Sequence, residues 1–132
     1  MSRILFALAR LAMGLWAGAV ATVAFVVAPR AFSYLADPPP AEVMAPIFRK
    51  VDLFGIGTSV LFAVAVRRSR WRLCLAGLLG AAAAANAFLL APRIAGGDPS
   101  LHGLSEGLWG GILAGAVVLA LSGPPRPPQS HP

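Results

Sequence analysis

Seven side chains in this sequence have types and spacings that suit polar chemistry beside an apolar phase: Arg30, Asp52, Asn86, Arg93, His102, Ser105 and Glu106. His102 and Glu106 are four residues apart, so on a helix they share one face one turn apart. Arg30 and Arg93 each follow a proline, and Asp52 and Glu106 are acids that lie near the starts of apolar stretches. Two readings stay open. In one, the arginines bridge the carboxylates and pin helix pairs together. In the other, the group forms a binding or proton-handling site, because ionisable residues inside a membrane boundary are costly and default to functional candidates. Simple solvation at an interface is the third possibility. His102 could ligate a metal or haem, yet the only other histidine is His131 in the tail, and no cysteine stands at ligand spacing. One chain therefore offers no complete metal site, although a haem shared across a dimer stays open. Neither a Ser-His-Asp order nor a glycine-rich phosphate loop nor a cysteine pair is present, so the expectation is a non-enzymatic protein without a cofactor.

The elements that must position these residues come from charge and hydropathy. Hydrophobic residues make up 58% of the 132 and charged ones 12%, which places the chain in the membrane class. Its charges sort by alternate gaps between four apolar stretches. Arg3, Arg10, Arg67, Arg68, Arg70, Arg72 and Arg126 fall on one side, with no acid. Asp37, Glu42, Asp52, Asp98 and Glu106 fall on the other, with Arg30, Arg49, Lys50 and Arg93. Cytoplasmic loops retain Lys and Arg, so the first side is predicted to be cytoplasmic and to hold both termini. The +6 net charge then reads as topology and contact with anionic headgroups rather than as nucleic-acid binding. The location expected is a multi-pass one in the inner or plasma membrane.

The pattern predicts an all-α, four-helix transmembrane bundle over residues 1–121, with spans at about 4–28, 47–66, 73–91 and 101–121. Residues 122–132 are predicted to form a disordered Pro-rich cytoplasmic tail. Arg3, Arg10 and Ala19-Val20-Ala21 imitate a signal peptide, but the apolar run continues to Ala28, which suits a retained helix. A kinked extension through Pro29 to Leu35 is open, and Asp37-Pro38-Pro39-Pro40 then breaks the helix. Pro40 suits a first helical position with Glu42 in the first turn. The uncharged part of the second span, Leu53 to Val66, is short for a core about 30 Å thick, so residues 47–52 must help to cross the outer leaflet or lie in its interface. Cys74 stands alone and reads as a small packing residue.

Phe25-Val26-Val27-Ala28-Pro29-Arg30 is echoed by Phe88-Leu89-Leu90-Ala91-Pro92-Arg93. Two helices separate the copies, which suggests two parallel two-helix repeats. Gly103, Gly107, Gly111 and Gly115 make a ridge of bare backbone on the fourth span, and Gly14 and Gly18 repeat the spacing on the first. Such ridges let transmembrane helices approach closely. Packing inside the chain is the first expectation, and a homo-oligomer or larger membrane complex is the alternative. Trp71 suits an interfacial anchor, whereas Trp109 lies on the back of its helix from the glycine ridge.

With these residues in view, the chain resembles the transmembrane protein 205-like family of small multi-helix membrane proteins. The resemblance rests on Trp16 with a following glycine, Pro29 with Phe32, Ile47-Phe48, Asn86, Pro92-Arg93 and His102-Gly103-Leu104-Ser105, and covers about Leu11 to Leu121. Trp109 stands where members often carry Asn, and the segment between Pro92 and His102 is very short. The resemblance implies four membrane helices and no agreed reaction. The function expected is a small membrane interaction or accessory protein. The alternatives are solute or ion transport or binding through the outer polar cluster, and haem or metal binding at His102.

Overall fold

The computed structural model describes residues 3–35, 39–96 and 98–124. It contains four helices and, among the described residues, no strand. Helix α1 runs Arg3–Tyr34, α2 Pro40–Val66, α3 Arg70–Ala95 and α4 His102–Leu121. α1 packs on α2 and α4, and α3 packs on the same two, so consecutive helices close a ring around one core. Three helices, α1, α3 and α4, are long and apolar enough to cross a membrane. α2 is not among them, and its first half carries Glu42, Arg49, Lys50 and Asp52. Residues 36–38 of the proline-rich break and residues 125–132 of the tail lie outside the described residues.

The Pro-Arg echo has a structural counterpart. α1 widens into a π-helical turn at Val23–Val27, and α3 does the same at Asn86–Leu90. In each, the last amide before the proline reaches back five residues: Ala28 N–H donates to the Val23 carbonyl, and Ala91 N–H to the Asn86 carbonyl. Proline supplies the cause. Pro29 and Pro92 have no N–H, and their rings crowd the carbonyl four residues back, so the preceding turn opens. Both helices then continue beyond their prolines, α1 as far as Tyr34. The same sequence device has two consequences. In α1 the segment beyond Thr22 leans on α2 and leaves α4. In α3 the widened turn stays packed between α2 and α4 and turns Asn86 into the core. Pro46 sits inside α2 without interrupting it.

Where glycine matters for packing differs from the ridge expectation. A Cβ on Gly103, Gly107 or Gly111 would meet no atom within 4 Å, so this part of the ridge does not pack inside the chain. The inward face of α4 is set instead by Trp109, Ile112, Ala116 and Leu119, all buried. Each four-residue step of the ridge turns it by about 40°, and only at Gly115 does it reach a neighbour, Leu79 of α3, at 2.7 Å. On α1, Gly18 meets nothing and Gly14 makes ordinary contact with Ala120 at 4.0 Å. The two other close approaches use glycines that the sequence reading passed over. Gly55 of α2 lies under the Trp16 ring, and Gly80 of α3 faces Ser59, whose Cβ is 3.1 Å from where a Gly80 Cβ would stand. Each of the four helix contacts thus has a glycine at a contact point, as expected where apolar burial gives no drive between helices.

The arginine-rich end is also tied. Arg10 Nε donates to the Ala120 carbonyl at 2.7 Å, joining α1 to the last turn of α4. A cation there also suits the negative end of the α4 dipole. Arg10 and Arg72 both stack over Phe6, each 5.9 Å from its ring centre, and Arg72 also lies over Trp71. Cys74 is exposed on α3 rather than packed, a correction to the reading of it as a packing residue.

Candidate functional site

The polar residues at the opposite end divide into a buried tie and an exposed rim. Asp52 of α2 is fully buried, and Asn86 of α3 is 2% exposed. The Asn86 amide Nδ2 donates to Asp52 Oδ2 at 2.6 Å, and Ser105 Oγ of α4 donates to Asn86 Oδ1 at 2.6 Å. This one amide therefore links three helices, and a charged-acceptor bond is stronger than a neutral one. Asp52 Oδ1 has no hydrogen-bond partner. The Trp109 indole N–H interacts with the carboxylate but falls outside hydrogen-bond geometry. Trp109 is held in place by Phe48, edge-on at 4.8 Å, and it faces the bundle rather than lipid.

The expected arginine–carboxylate bridges are not formed among the described residues. Arg30 and Arg93 are exposed, while the Asp52 carboxylate points inward to Asn86. The rotation of α2 explains this. Asp52 shares its helix face with Gly55, Ser59, Phe62 and Val66, all buried, while Arg49 and Lys50 are exposed. Arg49 instead lies over the Phe88 ring, 6.0 Å from its centre. Arg93 acts electrostatically on Asp98 in the following loop. The Asp98 carboxyl is held below the usual range mainly by hydrogen bonds from Ser100, whose hydroxyl and backbone N–H both donate to it. This Asx-type turn leads into the short 3-10 turn Pro99–Leu101 and so sets the start of α4.

His102 and Glu106 occupy the first turns of α4, and both are exposed. They open onto a cavity of about 590 Å³ between α4 and the part of α1 displaced by its π-turn. Ser105 and Trp109 also line it, which places the buried tie directly behind its wall. A second cavity, about 60 Å³, touches Asn86, His102 and Ser105 beside Met44. Met44 itself is fully buried in α2. Among the described residues no group of three or more His, Cys, Asp or Glu comes together in a way that could hold a metal ion.

Residues 11–96 match the family described as a domain of unknown function, DUF4149. The chain belongs to that family. The match takes in both π-turns, Asp52 and Asn86, and stops before α4 with its Ser105, His102 and Glu106. No curated protein and no solved structure matches the chain.

Proposed function

We propose that this DUF4149 member is a non-enzymatic interaction or accessory subunit of a membrane assembly, docking through the outward face of α4. The observation that carries the reading is the empty ridge of Gly103, Gly107 and Gly111, each with no atom within 4 Å of a Cβ position. Four-spaced glycines let helix backbones meet closely in lipid, and this chain leaves that face uncovered. The same face of a second copy is the simplest occupant, since a two-fold contact pairs a surface with itself. Gly107→Leu should convert a dimer in mild detergent to a monomer while leaving the helical fold intact, as measured by light scattering and circular dichroism. Unchanged particle mass would count against the reading. The resemblance to the transmembrane protein 205-like family belongs to the same proposal.

The proposal includes four crossings, with both termini in the cytoplasm of a cell whose inner or plasma membrane holds the protein. The sorted arginines support it, and so does the length of α2, whose 27 residues reach about 40 Å. Its buried Asp52 is shielded by the other helices, which lessens the cost of an acid at that depth. A reporter active only outside the cytoplasm should be silent within 67–72 and after Pro132, and active within 96–100. Activity within 67–72 would overturn this orientation, either because α2 does not cross or because the whole chain is inverted.

A further inference from the structure

We infer that the groove between α1 and α4 binds hydrophobic organic cations. It lies on the side of α4 that faces α1 and borders the glycine ridge at Gly110, but Gly103, Gly107 and Gly111 do not line it, so the inference stands apart from the docking proposal. The groove exists because the π-turn and Pro29 displace the end of α1 from α4. Its volume of about 590 Å³ falls within the range of small-molecule sites, about 300–1,000 Å³.

The chemistry of the walls selects the occupant. Phe25, Phe32, Phe48 and Trp109 supply four aromatic rings, and aliphatic residues such as Val20 continue the apolar wall. Among the described residues that line the groove, Glu106 is the one acid and none is Lys or Arg. An acid among aromatic faces is complementary to a cation with a large apolar body, because ring faces and carboxylate both attract positive charge. An anionic amphiphile would find no Lys or Arg there, only the His102 imidazole and the Ser105 hydroxyl beside an opposing carboxylate. Phe25 and Phe32 are exposed, so an occupant can arrive sideways from the apolar phase. Trp109 gives the site a built-in optical signal.

Two ions of closely matched size and opposite charge make the test, tetraphenylphosphonium and tetraphenylborate, titrated into the full-length protein in neutral detergent against a micelle blank. Saturable binding of the phosphonium with a change in tryptophan fluorescence is expected. Glu106→Gln should weaken it by about fivefold or more while borate behaviour is unchanged. Glu106 is exposed, so this variant should keep the wild-type unfolding temperature. Phe32→Ala should weaken the phosphonium too, whereas Gly107→Leu should not, which separates this site from the docking face. Equal binding of the two ions, or indifference of the phosphonium to Glu106→Gln, would overturn the inference.

Discussion

Asn86→Leu is expected to lower stability by about 3–5 kcal/mol. It leaves Asp52 Oδ2 without its donor and Ser105 Oγ without its acceptor. Asp52 is fully buried, so any replacement water must come through the small cavity beside Asn86 and Ser105. The cost lies mainly in the orphaned carboxylate rather than in the lost contact. Adding Asp52→Leu should therefore recover much of the loss, although a second side chain has been changed. Asp52→Asn alone should be mild, since its amide oxygen can still accept from Asn86. Thermal unfolding in detergent reads all three. A double variant no more stable than Asn86→Leu would show that the amide matters for packing and not for satisfying the acid.

Gly55→Ala is the second large effect, expected to cost about 3 kcal/mol, at the upper end for overpacking a core. The new methyl would stand 2.1 Å from two ring atoms of Trp16. Trp16 is fully buried and cannot swing aside as a long flexible side chain would. The α1–α2 contact must then separate. Trp16→Phe shortens the ring and should be less damaging in the Gly55→Ala background than in the wild type, a coupling that a double-mutant cycle measures. Its indole N–H has no hydrogen-bond partner, so that substitution forfeits packing but no polar bond. Wild-type stability of Gly55→Ala would mean the helices are not held at this distance.

The helices were legible because apolar runs and sorted arginines are properties of composition along the chain. The Pro-Arg echo was legible as well, and it marks the two π-turns. What the echo could not show is direction. One widened turn leads away from α4 and the other turns Asn86 inward, and that difference depends on which neighbours each helix finds. Asn86 and Ser105 stood out as polar residues in apolar spans. Asp52 is hard to place from sequence because Arg49 and Lys50 beside it suggest an interfacial position, whereas its register with Gly55, Ser59 and Phe62 points inward. The same register contained the missed signal for Gly55, since Gly55, Ser59 and Ala63 form a four-spaced row once Ser and Ala count as small. The ridge on α4 misled in the opposite way. Spacing shows that a face is smooth, but the bulky side chains on the opposite face, Trp109 and Ile112, decide which way it points.

The docking face carries the functional account, and disulfide cross-linking in native membranes tests it most directly. In a Cys74→Ala background, single cysteines are placed at Gly103, Gly107 and Gly111, with Leu78→Cys on α3 as an exposed control. A disulfide needs Cα atoms within about 7 Å, so it reports only close backbone approach. The account predicts rapid oxidation to a covalent dimer at the ridge positions and little at Leu78. Cross-linking at the ridge no faster than at Leu78 would contradict it, leaving the glycines facing lipid.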